Sequence, residues 1–154
     1  MKFSDSVIIS CSPIQVWEVL TQFEQYVNWN PFIVNINGSV QQGEDLLMTM
    51  KLGRRTVDTK VTVTEVKPFL VLEWEGSIFS SALLKRLFSV RRTFSIEQIA
   101  DQQVRFKNQE VFIGLIGNVI AFLLQKHISK RYGQYNHAIK KWCEARTNKE
   151  LKSE

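Results

Sequence analysis

From Phe32 to Phe112 apolar and polar residues alternate in six successive stretches, and from Leu115 onward the pattern changes to a helical period. No other feature of the chain restricts its fold as tightly. Period-two alternation gives a strand one dry and one wet face, the mark of an antiparallel sheet. Phe32, Val34 and Ile36 oppose Ile33, Asn35 and Asn37. Leu46, Met48, Met50 and Leu52 oppose Leu47, Thr49 and Lys51, and Val57, Thr59, Val61 and Val63 oppose Asp58, Lys60, Thr62 and Thr64. After a turn at Pro68, Leu70, Leu72 and Trp74 oppose Val71, Glu73 and Glu75. A less regular stretch, Gly76 to Leu87, contains a helical turn at Ser81–Arg86 and precedes strands at Phe88–Glu97 and Gln103–Phe112.

Phe3 to Cys11 is rich in apolar and β-branched residues and reads as a first strand. Ser12-Pro13-Ile14-Gln15 then starts a helix twice over: serine and glutamine form a capping box, and proline occupies the first turn, where no amide is missed. Trp17, Leu20 and Phe23 follow at helical spacing, and Asn30-Pro31 ends the helical region. The last element, Leu115 to Arg146, carries Ile120, Leu124, Ile128, Tyr135, Ala138, Ile139 and Trp142 on one stripe. The expectation is an α+β fold: a curved seven-stranded antiparallel sheet, two short helices after strand one, and a long C-terminal helix covering the dry face. Such a sheet around one helix leaves room for an internal cavity. With 154 residues and no repeats or linkers, residues 1–154 read as a single domain.

An apolar fraction of 44% with 23% charged residues excludes wholesale disorder. The net charge of +5 invites a nucleic-acid reading, but the cations are scattered and most aromatics point inward, so no nucleic-acid partner is expected. Cys11 and Cys143 form no C-x-x-C pair, and a bridge between them requires the two ends of the chain to meet; they read as two reduced thiols. The N-terminus, MKFSDSVIISCSP, lacks the apolar core of a signal peptide, and the run Leu115–Leu124 is interrupted by Asn118 and too short to span a bilayer. A cytoplasmic location is expected. His127 and His137 stand ten residues apart, too far to chelate a metal from adjacent turns, and no phosphate-cradling glycine loop occurs. Neither a metal nor a cofactor is expected.

Ser12-Pro13-x-x-Val16-Trp17-x-x-Leu20, followed by Tyr26-x-x-Trp29-Asn30-Pro31-Phe32, resembles the SRPBCC superfamily, the START-like helix-grip fold, and within it the polyketide cyclase/dehydrase-like group. Glu110-x-Phe112-x-Gly114 and Asn136-x-Ala138-Ile139-Lys140 are similar to the family's last strand and terminal helix, so the resemblance covers about residues 3 to 146. It implies binding of a hydrophobic or amphipathic small molecule, such as a lipid or polyketide, between sheet and helix. Some relatives carry out cyclisation or dehydration in that space. The chain departs from the pattern at Arg92, where many relatives place histidine, and at Arg131, where they often place glycine.

Strand parity sharpens the site. Phe88, Val90, Arg92, Phe94 and Ile96 share one face, as do Val104, Phe106, Asn108, Glu110 and Phe112, and the bulky apolar members mark the dry side. Arg92, Asn108 and Glu110 therefore point inward, with Arg92 across from Glu110 or one pair removed. Either charge buried alone would cost several kcal/mol, so they are expected to pair. Arg131, on the inward stripe of the helix, is placed to join them. The group reads either as a polar anchor for a ligand head group or as a structural ion pair. The expected wall comprises Trp17, Trp29, Met48, Met50, Trp74, Phe79, Phe88, Phe94, Phe106, Phe112, Ile120, Leu124 and Tyr135, part of it core alone. The chain is read as a binder without covalent chemistry; the alternative is a cyclase/dehydrase-like enzyme using Glu110 or Arg92. Leu115, Val119 and Phe122 lie off the inward stripe, either closing over a sheet edge or forming an apolar patch for a membrane surface or a second subunit.

Overall fold

The computed structural model describes residues 1–77 and 81–150. Strand β1 (Lys2–Ile9) leads into α1 (Pro13–Thr21), a 3-10 turn (Phe23–Gln25) and α2 (Tyr26–Trp29). Strands β2 (Ile33–Asn37), β3 (Asp45–Leu52), β4 (Arg55–Lys67) and β5 (Val71–Gly76) precede the single turn α3 (Ala82–Lys85). Strands β6 (Ser89–Ala100) and β7 (Gln103–Ile113) follow, and α4 (Leu115–Glu150) ends the described chain. The seven strands form one antiparallel sheet in the order β1-β7-β6-β5-β4-β3-β2. The first strand is thus drawn to the last, and the sheet curves around α4 as expected.

Local chemistry sets the element boundaries. The Gln15 amide donates to Ser12 Oγ at 3.3 Å, while the Ser12 amide donates to Gln15 Oε1 at 2.9 Å, and Pro13 fills the first helical position. Both orphan amides at the start of α1 are thereby satisfied. Asn30, buried just past α2, accepts on Oδ1 from the amides of Phe32 and Ile33, each at 2.9 Å, and so bends the chain into β2.

Two parity expectations are corrected. In β2 a bulge between Ile33 and Asn35 shifts the register, so Ile33 and Ile36 are buried together, not Phe32, Val34 and Ile36. An extra residue in one strand flips every side chain beyond it. Leu70 is exposed and does not share the inner face with Leu72 and Trp74, because the turn through Phe69 (φ 66°) places it before β5 begins.

The interior is packed at one end and hollow at the other. Where α1, α2 and the second half of α4 meet the sheet, Val16, Leu20, Tyr26, Phe94, Phe106, Tyr135 and Ile139 are fully buried. The rings of Phe94, Phe106 and Tyr135 stack, with interplanar angles of 19–22°. Polar ties hold this end of α4: Asn136 Nδ2 donates to Asp5 Oδ2 (3.2 Å), Lys140 Nζ to the Ile8 carbonyl (2.7 Å) and Arg146 to Gln22 Oε1 (3.0 Å). The first half of α4 meets the sheet through a smaller cluster of Phe88, Phe112 and Ala121. Beyond that cluster a space is left unfilled between α4 and the sheet, lined on the helix side by Leu124, Ile128, Arg131 and Tyr132.

Candidate functional site

That unfilled space is a cavity of about 300 Å³ bounded by β2 to β7 and α4, at the small end of the range that holds small-molecule ligands. Its apolar wall includes Ile33, Met48, Met50, Val61, Trp74, Phe88, Val90, Phe112, Leu124 and Ile128. Arg92, Glu110, Arg131 and Tyr132 supply its charged and phenolic groups. Gly76 lies at an inward position of β5, where a Cβ would come within 2.6 Å of Val61 Cγ1. Phe32, Thr59 and Ser77 complete the lining.

The polar group is assembled by the β6–β7 hairpin. Its two-residue turn, Asp101-Gln102, pairs Ala100 with Gln103, and a bulge between Gln98 and Ala100 shifts the register by one, so that Arg92 pairs directly with Glu110 and Phe94 with Asn108. Arg92 Nη1 lies 3.5 Å from Glu110 Oε1, and Arg92 Nε donates to Asn108 Oδ1 at 3.1 Å. The side chains of the ion pair are only 13% and 18% exposed. The guanidinium also lies 4.7 Å from the Tyr135 ring centroid and 5.0 Å from that of Phe94. Helix α4 contributes Tyr132, whose hydroxyl donates to Glu110 Oε2 at 2.5 Å. Burial, followed by the Glu110 charge, raises the Tyr132 phenol far above its ordinary pKa, so it remains a donor.

Arg131 stands apart from this satisfied group. Its guanidinium lies 4.3 Å from the Phe32 ring centroid and has no hydrogen bond or ion pair among the described residues. Burial, then the neighbouring Arg92 charge, lowers its pKa, with Glu110 partly opposing that shift. The guanidinium nevertheless stays protonated. A shallow depression beside the cavity shares Phe32 and Arg131 with it and adds Lys51. Two cations therefore flank one end of the cavity.

Of the residues read from the sequence as wall or anchor, Met48, Met50, Trp74, Phe88, Arg92, Glu110, Phe112 and Leu124 line the cavity. Trp17, Trp29, Phe94, Phe106, Asn108, Ile120 and Tyr135 do not; Phe79 lies outside the described residues. Trp29, Phe94, Phe106 and Tyr135 belong to the solid end of the core, and Trp17 packs edge-on against Phe69. Asn108 is buried one pair beyond the cavity and acts on Arg92 from behind. Tyr132 was missed by the inward stripe, which passed from Ile128 to Tyr135. It falls four residues after Ile128 and three before Tyr135, so the helical period itself carried the signal.

His127 and His137 are exposed, and no group of three or more metal-ligating side chains comes together among the described residues. The two ends of the chain do meet: Cys11 and Cys143 are both buried and free, and their thiols lie near enough to act on each other, lowering the pKa of Cys11 and raising that of Cys143.

Comparisons with known proteins agree with this geometry. Residues 1–144 match the family model described as polyketide cyclase/dehydrase and lipid transport. No curated protein matches. Among solved structures, the Zhui aromatase/cyclase from Streptomyces sp. R1128 superposes with a TM-score of 0.75 at 11% identity, over 96% of this chain and 95% of that one. A norcoclaurine synthase point mutant from Thalictrum flavum gives 0.69 at 11% identity, over 96% of both chains. The Aha1 dimer from Colwellia psychrerythraea gives 0.69 at 14% identity, over 94% of this chain and 96% of that one. At these identities the likeness is one of fold.

Proposed function

The chain belongs to the polyketide cyclase/dehydrase and lipid transport family, and from that premise we propose that it binds an amphipathic small molecule with an apolar body and a single anionic group. The observation that carries this reading is Arg131. Arg92 is already neutralised by Glu110 and shielded by Asn108 and Tyr132, whereas Arg131 is half-buried in the cavity wall and makes no ion pair or hydrogen bond of its own among the described residues. A partly desolvated guanidinium without a partner is costly, and a bound carboxylate or phosphate relieves that cost with charge-assisted hydrogen bonds. Lys51 across the shallow depression adds a second positive charge at the same end. The cavity's small volume suits a single-tailed or compact polycyclic body.

Oleate and oleyl alcohol, which differ at the head group, test this reading by fluorescence displacement. Oleate is expected to bind more tightly, and Arg131→Leu to weaken oleate about tenfold or more while leaving the alcohol unchanged. Equal affinities, or an oleate affinity indifferent to Arg131, would overturn it.

A second reading, a cyclase/dehydrase-like enzyme, is favoured by one observation: the cavity presents a carboxylate, Glu110, held between a guanidinium and a phenol. Such a carboxylate could exchange a proton with a bound substrate. Under this reading Glu110→Gln abolishes turnover of a polyketide-type substrate while binding persists; under the first, only affinity changes.

A further inference from the structure

We propose that the outer face of the first half of α4, together with the loop before β6, is a docking surface for a lipid bilayer bearing negatively charged head groups. On a helical projection Leu115, Val119, Phe122, Leu123, Lys126 and Lys130 fall within one stripe about 100° wide, opposite the side that faces the sheet. All four apolar members are exposed: Leu115 by 73%, Val119 by 53%, Phe122 by 61% and Leu123 by 70%. Ile116 beside them is also exposed. The stripe is continued by the preceding loop. The amide of Ile116 donates to the carbonyl of Leu87 at 3.0 Å, which sets exposed Leu84, Leu87 and Arg86 alongside the helix start. Gly114 makes this junction possible: its φ is 85°, and a Cβ there would lie 2.4 Å from the Leu87 carbonyl oxygen. Large apolar side chains gathered on one exposed face, with cations at its border, suit the boundary between acyl chains and head groups.

Charge identifies the occupant. No aspartate or glutamate occurs between Glu110 and Glu144, or between Glu75 and Glu97. Arg86, Lys126 and Lys130 make no ion pair among the described residues. The apolar face is therefore bordered by positive charge alone. Two copies joined through this face would bring like charges together with no acid from the same stretches to offset them, which disfavours a self-complementary pair. An anionic bilayer meets both halves of the surface: the leucines and Phe122 enter the interface, and the lysines reach the head groups. The same half of α4 carries both surfaces: Leu124 lines the cavity from the side of the helix opposite the stripe and is itself 47% exposed. Docking would thus bring the helix that walls the cavity to the source of an amphipathic ligand. That consequence rests on the proposed binding function; docking itself does not.

Co-sedimentation of the whole protein with phosphatidylcholine vesicles, with and without phosphatidylglycerol, tests the proposal. Binding is expected only to the phosphatidylglycerol vesicles and should weaken as salt is raised. Phe122→Asp with Leu123→Asp should abolish it, and Lys126→Gln and Lys130→Gln should each reduce it about fivefold. All four side chains are exposed, so thermal melts and oleate binding in solution should stay unchanged, which separates loss of docking from misfolding. Failure to sediment with either vesicle, or binding that survives the double aspartate variant, overturns docking whatever the outcome of the oleate assay. Sedimentation velocity showing a dimer that Phe122→Asp dissociates also overturns it, and assigns the face to a second copy of the chain. Oleate binding that fails while docking persists overturns the ligand reading alone.

Discussion

Arg92 and Arg131 both face the cavity, and the difference between them lies in what surrounds each guanidinium. Arg92 has a carboxylate at 3.5 Å, an amide oxygen at 3.1 Å and aromatic rings against its face, so its charge is spent inside the protein. Arg131 has one ring and solvent at the edge of a depression. Glu110→Gln removes the anion from a pair that is mostly buried, leaving Arg92 uncompensated. A loss of about 2 kcal/mol is expected by urea denaturation, below the range for fully buried pairs because both side chains retain some contact with water. Tyr132→Phe removes one hydrogen bond to Glu110 and should cost about 1 kcal/mol. If Glu110→Gln proved neutral, the Arg92–Glu110 contact would contribute nothing to folding.

At the scale of elements, α4 is two helices in its energetics. Its second half is anchored by Tyr135, Ile139 and polar ties to β1 and α1; its first half rests on the small cluster of Phe88, Phe112 and Ala121. Amide exchange should show this directly. Protection over residues 115–128 is expected to fall well below that over residues 132–146, since few buried contacts hold the first half closed. Uniform protection along the helix would contradict it. The start of α1 offers an independent check: Ser12→Ala removes the capping oxygen and should cost about 1 kcal/mol with the fold unchanged.

For the molecule as a whole, alkaline pH is the informative axis. All three tyrosines, Tyr26, Tyr132 and Tyr135, are buried with phenol pKa values raised above 10, first by desolvation, and Tyr135 stands at about 12. The folded state then holds protons that the unfolded state has lost, so stability is retained below about pH 10 and falls as pH climbs toward 12. Absorbance at 295 nm should show almost no tyrosinate in the folded protein at pH 10, and its appearance should coincide with loss of the near-ultraviolet circular dichroism signal. Free ionisation near pH 10 in folded protein would mean that the three rings are wet.

Local rules were enough for much of this protein. Period-two and helical patterns determined the order of elements, the capping box at Ser12 and the inward parity of Arg92 and Glu110, because each depends on residues a few positions apart. Parity failed at Ile33 because a bulge is a decision of the strand pair, invisible within one strand. The wall of the cavity was only half legible. Trp29, Phe94, Phe106 and Tyr135 are inward-facing and aromatic, as a wall would be, yet they pack against each other at the solid end. Whether an inward side chain meets another side chain or empty space depends on how α4 lies across the curved sheet. That placement joins residues more than a hundred positions apart, as in the Asp5–Asn136 contact, and no sequence period records it. The same placement turned Leu115, Val119 and Phe122 outward and left Arg131 in the cavity wall without an ion pair among the described residues.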